Sequence, residues 1–302
     1  MLLDEVQSYQ NLELLARQVV EGFITGMHAS PFHGFSAEFA EHKAYNSGES
    51  TRHLDWKLMA RTDRLYVKRY EEETNLRCRL VLDLSPSMFY PAGSKAKVRF
   101  AALACASIAQ LLKKQRDAFS LTAFNTDILF QTAMRSSPRH FDEVIQKLQP
   151  VWDGSLPMPA ASETRLAPTL EYLAQTTHRR SLIVLFSDMF DSGEDETALW
   201  RALQHLRYGR NEVILFHIRH NPDEVDFAFD NRPYRFVDLE SGEKLLVNPA
   251  ELREYYNQRV ADLDERIRTK CLQYRIDFYP IDVSRDFQQV LMPFYAKRMR
   301  MA

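Results

Sequence analysis

Three separated segments of this 302-residue chain place oxygen donors at the ends of apolar runs. Asp83, Ser85 and Ser87 alternate in the loop Asp83-Leu84-Ser85-Pro86-Ser87, Thr164 starts the turn before a helix at Pro168, and Ser187-Asp188 follows the most apolar run in the chain. Carboxylate and hydroxyl oxygens, with no sulfur and no imidazole among them, suit a hard cation. Mg²⁺ takes about six oxygens in near-octahedral geometry and keeps some of its waters; Mn²⁺ and Ca²⁺ are the alternatives. Two carboxylates against one divalent ion sum to zero, so such an ion is less neutralised than one ringed by three or four acids. An Asp or Glu from a partner could complete its shell. Taken alone, Asp-x-Ser-x-Ser is a weak signal, because Ser and Asp after strands often only cap helices. The weight comes from the three segments together. Metal-assisted hydrolysis also needs a positioned base, and in these loops only Glu163 offers one.

The elements that must position these donors follow from hydrophobic periodicity. Arg79 to Asp83, Ser181 to Phe186 and Glu212 to His217 are short aliphatic runs of the buried-strand type, and Phe119 to Phe124 and Ile128 to Phe130 are weaker strand candidates. Between them lie amphipathic stretches. Ser94 is placed to cap a helix from Lys95 to about Lys114, whose inner face carries Val98, Ala101, Ala102, Cys105, Ile108, Ala109 and Leu112. Further helices are predicted over 141–148, 168–175 and 194–206. This alternation predicts an α/β fold, a doubly wound, mostly parallel sheet with helices on both faces. Loops at the carboxyl ends of neighbouring strands converge in such sheets, which would bring the three oxygen-bearing segments together.

Two regions break the pattern. Residues of about 225–247 read as a hairpin turning at Glu240-Ser241-Gly242-Glu243. Asn248, Pro249 and Glu251 then start a long helix with Leu252, Tyr256, Val260, Leu263, Ile267 and Cys271 on one stripe. A strand at 276–281 and a helix from Ser284 to about Arg298 end the chain. Residues 1–76 form an N-terminal extension with an amphipathic helix from Leu12 to Phe23 and a strand candidate from Arg64 to Tyr70; residues 77–302 form the α/β domain.

Composition excludes several classes. A formal net charge of −2 gives no bias toward nucleic acid or anionic membrane. No run approaches the roughly 20 apolar residues of a membrane span, and the N-terminus lacks the pattern of a signal peptide. Cys78, Cys105 and Cys271 are widely spaced and read as buried thiols in a reducing compartment, so the expected location is cytoplasmic. His28, His33, His42 and His53 have no zinc-like spacing. Arg52 to Lys57 reads as a turn with Trp56 packed inward, and Glu71-Glu72-Glu73 as a solvated hairpin end.

Asp83-Leu84-Ser85-Pro86-Ser87, Thr164 and Asp188 resemble the metal-ion-dependent adhesion site of von Willebrand factor A domains. The resemblance implies direct hydroxyl ligation by Ser85, Ser87 and Thr164, with Asp83 and Asp188 coordinating directly or through water. Ser162-Glu163 stand where many such domains carry glycines, and Met189 stands where Gly often follows the last Asp. Gly34, Glu38-Phe39, Glu41, Tyr45, Gly48, Arg52, Asp55-Trp56-Lys57, Ala60-Arg61, Tyr66-Val67-Lys68 and the segment from Phe236 to Glu243 are similar to the signature of the bacterial domain-of-unknown-function 58 family. Lys43 stands where an Arg is usual in it. That family is typically encoded beside MoxR-type AAA+ ATPases. The resemblance implies a non-enzymatic adaptor or co-chaperone that presents client proteins to the ATPase, each client offering an Asp or Glu to the metal. A metal-dependent, phosphatase-like hydrolase and a structural scaffold whose site stays empty are the alternatives.

Overall fold

The computed structural model describes residues 11–28, 42–44, 59, 61, 66–68, 76–159, 166–189, 196–239 and 241–299. Ser162, Glu163 and Thr164, the Arg52 to Lys57 motif and Glu71 to Glu73 lie outside the described residues.

Six strands form the central sheet: β3 (Arg77–Asp83), β4 (Ala118–Phe124), β5 (Ile128–Gln131), β6 (Leu182–Ser187), β7 (Glu212–Arg219) and β10 (Asp277–Asp282). Their order across the sheet is β10-β7-β6-β3-β4-β5, and every neighbouring pair is parallel except β4 with β5. The expected α/β architecture is therefore the observed one. β3 lies at the middle, flanked by β4 and β6, with Val81 level with both Thr122 and Leu185. Strands buried on both faces lose the polar alternation of a half-exposed sheet, which is why β6 reads as an unbroken apolar run.

Helices cover the two faces separately. Alternate residues such as Leu80, Leu82, Val184, Phe186 and Phe216 share one core with α1 (Leu12–His28), α2 (Ala96–Gln115), α3 (Pro138–Trp152) and α8 (Phe287–Met299). The other set, Val81, Ile183, Leu185, Val213 and Leu215, packs against α4 (Leu166–Thr176), α5 (Glu196–Tyr208) and the end of α7 (Pro249–Gln273). Leu12, Leu15, Ala16, Val19, Val20 and Phe23 of α1 thus belong to the main core. A short antiparallel pair, β1 (His42–Ala44) with β2 (Tyr66–Lys68), is also described within the first 76 residues. Among the described residues no helix is long and apolar enough to cross a membrane.

Several local expectations change. Ser94 does not cap α2: the residue before the helix is Lys95, in the left-handed region at φ 51°, and no side chain caps the end. Long-range bonds set this start instead, since the Lys95 ammonium donates to the carbonyls of Gly154 (3.0 Å) and Leu156 (3.3 Å). α3 begins earlier than its apolar stripe, because the Ser137 hydroxyl accepts the His140 N–H and Pro138 fills the first turn. The α7 stripe is buried on the sheet only at Ile267 and Cys271, while Leu263 is 38% exposed. Its N-terminal half rests on the segment before it, with Tyr256 stacked on Phe227 at 4.3 Å and Arg253 donating to the Phe229 carbonyl. The predicted hairpin is present as β8 (Tyr234–Val237) paired antiparallel with β9 (Lys244–Val247).

α8 is joined to the sheet by aromatic packing. Phe294 is buried against Phe216 at 5.3 Å, and Phe216 stacks on Phe186 at 5.0 Å. Phe294→Ala is expected to lower stability by about 3–5 kcal/mol in urea unfolding; a loss below about 1 kcal/mol would show that α8 is not docked in this way.

Candidate metal centre

Asp83 ends β3, so the strand that anchors the core also delivers this carboxylate to the carboxyl edge of the sheet. Its side chain is fully buried. Oδ1 accepts the Ser85 N–H at 2.8 Å, and Oδ2 accepts the Ser187 hydroxyl at 2.7 Å. The loop after it is tied to β4 through Leu84 N–H and the Phe124 carbonyl (2.7 Å). A 3₁₀ turn over Pro86–Phe89 then brings the Ser85 and Ser87 hydroxyl oxygens to 3.0 Å from each other. Met88 and Phe89 are buried beneath the turn and hold it against the core.

The parallel pairing of β3 with β6 supplies the second acid. Ser187 is the last residue of β6; Asp188 follows it and is 8% exposed. The Ser187 hydroxyl, which donates to Asp83, also accepts the Met189 N–H at 2.9 Å. Met189 takes the left-handed backbone at φ 54°, and its side chain joins the core with Leu166, Leu199 and Trp200. Met189 thus keeps a glycine-like turn, and burial of the thioether side chain offsets a backbone cost of about 1–2 kcal/mol.

Three groups near the site were not expected from the sequence. Lys97, in the first turn of α2, is fully buried and donates to Asp188 Oδ2 (2.8 Å) and Glu224 Oε1 (2.5 Å). Burial works against its charge, but Asp188 and Glu224 outweigh that, and its pKa lies above the usual lysine value. Glu224 ends the single turn α6 (Asn221–Glu224) just after β7. His217 of β7 donates its Nε2–H to the Asp188 carbonyl at 2.9 Å; the carbonyl can only accept, which fixes the tautomer. Burial and the nearby Arg219 charge lower the His217 pKa to about 4, so its ring is neutral at pH 7. A sign of Lys97 was present in the sequence: it stands one turn before Ala101 and two before Cys105, a charge on an otherwise apolar inward stripe.

Asp83, Ser85, Ser87 and Asp188 are therefore brought to one edge of the sheet, and Thr164 lies outside the described residues. No group of three or more His, Cys, Asp or Glu that could hold a metal exists among the described residues. An ion at this site would depend on hydroxyl ligands as well as the two carboxylates. The donor set fits a hard divalent cation. The Asp83 carboxyl supports that fit, because burial and the neighbouring Asp188 charge push its pKa up to about 7 despite the bonds from Ser187 and Ser85. A cation would relieve both penalties. Ser187→Ala removes the donor to Asp83 and the acceptor of the Met189 N–H. It is expected to cost about 1–3 kcal/mol in chemical unfolding at pH 7; wild-type stability would show that Asp83 does not depend on Ser187.

Several known proteins are similar to this chain. An uncharacterized protein of Mycobacterium bovis is 24% identical over 301 residues, covering 96% of this chain and 89% of its own. One from Mycobacterium tuberculosis aligns to the same extent. Among solved structures, the conserved hypothetical protein BatB from Bacteroides thetaiotaomicron is similar at 13% identity and a TM-score of 0.44, over 74% of this chain and 99% of that one. An aerotolerance-related membrane protein from Bacteroides fragilis is similar at 14% identity and a TM-score of 0.39, over 74% and 99%. The model of the family described as protein of unknown function DUF58 matches residues 41–266, and the chain belongs to that family.

Proposed function

We propose that this chain is a non-enzymatic, metal-dependent protein-interaction module of the von Willebrand A type, using Mg²⁺ to grip a carboxylate of a client protein and acting as an adaptor for a MoxR-type AAA+ ATPase. The observation that carries the reading is the junction of β3 and β6. There Asp83 and Asp188, from separate segments, are linked through Ser187, with the Ser85 and Ser87 hydroxyls beside them. These residues would hold the ion, and the ion would supply a positive centre for an anionic side chain. The ATPase partner rests on the family resemblance of the N-terminal signature and not on the site.

The arrangement of polar groups favours binding over catalysis. A nucleophilic serine needs a base within hydrogen-bond reach. Ser85 and Ser87 instead bond to one another. His217, the imidazole beside the site, uses its Nε2–H on a backbone carbonyl and titrates at about 4. Charge balance also favours an anionic partner. Lys97 and Glu224 cancel, so the divalent ion with Asp83 and Asp188 again sums to zero, leaving the ion short of the carboxylates that would fully screen it.

The double variant Asp83→Ala, Ser85→Ala is expected to lose Mg²⁺ binding in calorimetry by about tenfold or more. It should also lose capture of the co-expressed MoxR-type ATPase with its client, while the circular dichroism spectrum stays native. Undiminished capture by a variant that has lost the metal would overturn the reading.

A further inference from the structure

Lys97 occupies a position that a metal-binding module has no obvious need for. Its ammonium is fully buried and sits between two carboxylates, Asp188 Oδ2 at 2.8 Å and Glu224 Oε1 at 2.5 Å, with the Tyr90 ring 5.9 Å away. A buried lysine is tolerated only when its charge is matched. Here it has twice the match it needs.

The two carboxylates are not equivalent. Glu224 is held independently of the lysine: Oε2 accepts the His220 N–H at 2.6 Å, and its backbone carbonyl accepts the Tyr256 hydroxyl at 3.0 Å. Asp188 belongs to the site, one residue beyond the Ser187 that bonds Asp83. A divalent ion beside Asp83 and Asp188 would draw on the same carboxylate that Lys97 uses. Like charges close together in a poorly solvated site repel strongly, so the ammonium and the ion cannot share Asp188 without penalty. Glu224 gives the ammonium a partner to keep.

We propose that Lys97 is a competing cation built into the site: its ammonium holds Asp188 while no metal is bound, and yields Asp188 to a divalent ion while remaining bound to Glu224. The inference rests on the metal-dependent reading above. Its consequence is a deliberately weakened metal site, one that retains its ion best when a partner's carboxylate adds a further ligand. Because Tyr90, just after the metal loop, donates to Asp223 at 2.8 Å, the same α6 turn touches the site from two sides.

Mg²⁺ titration of the full chain by calorimetry separates the outcomes. Lys97→Met is expected to bind Mg²⁺ about tenfold or more tightly and to show a lowered Tm in EDTA that Mg²⁺ restores. Glu224→Gln, which leaves the ammonium only Asp188, is expected to bind it several-fold more weakly. Wild-type protein labelled at lysine Nζ should show the Lys97 signal, assigned by its absence from Lys97→Met, moving as Mg²⁺ saturates. Mg²⁺ binding only in Lys97→Met would overturn the proposal, because the wild-type ammonium then never yields Asp188. An unmoved Lys97 signal at saturation, or equal affinities in all three proteins, overturns it and leaves the metal reading standing. Weaker binding in both variants also overturns it, making Lys97 a simple support for Asp188. Should Lys97→Met fail to fold, unchanged or tighter binding by Glu224→Gln overturns it alone. Absence of Mg²⁺ binding in every protein removes the metal reading and this inference with it.

Discussion

A carboxylate with no exposure to water, at the end of the central strand, is the constraint around which the carboxyl edge of this sheet is organised. Asp83 cannot be hydrated where β3 leaves it, and an unsatisfied buried charge costs several kcal/mol. The chain answers with a backbone donor from Ser85 and a side-chain donor from Ser187. The first is local and needs only the turn after β3. The second requires β6 to lie beside β3, parallel and in register, with its last residue level with the strand end. Sheet order and site chemistry are thus linked, since a different neighbour for β3 would leave Asp83 half satisfied.

Around this carboxylate lies a second set of charges, of which Lys97 and Asp188 are buried and Glu224 is partly exposed. Asp188, Lys97 and Glu224 come from the β6 end, the first turn of α2 and the α6 turn, so three elements meet through two ion pairs. Pairs of this kind contribute little net stability after desolvation, but removing one member is costly. They act chiefly to specify which elements meet. Tyr90 with Asp223, and Tyr256 with the Glu224 carbonyl, extend the same connection to the loop after β3 and to α7. The segment between β7 and β10, a digression from the α/β repeat in sequence terms, is in contact with the site at its first turn.

Much of the fold was legible because its signals are local. Aliphatic runs at β3, β6 and β7 mark strands covered on both faces, and Asn248-Pro249 marks a helix start whose side chain does accept a first-turn N–H. The Asp-Ser loop was legible for the same reason. Failures occurred where tertiary contacts decide. Ser94 has the right residue type for a cap, yet Lys95 reaches across to the α3 end and sets the helix start instead. The α7 stripe has helical periodicity along its length, but only its end meets the sheet. Lys97, Glu224 and His217 stand far apart in sequence, and nothing local signals that they converge on Asp188. Thr164, read from the same pattern as Asp83 and Asp188, lies outside the described residues.

The central claim is that the junction of β3 and β6 is a hard-cation site. A crystal of the full chain soaked in Mn²⁺, with anomalous differences collected above and below the manganese absorption edge, tests it directly. The account predicts one strong anomalous peak within coordination distance of the Ser85 and Ser87 hydroxyls, bounded by Asp83 and Asp188. An ordered loop with the Ser85–Ser87 bond intact, and no peak there at saturating Mn²⁺, would contradict it.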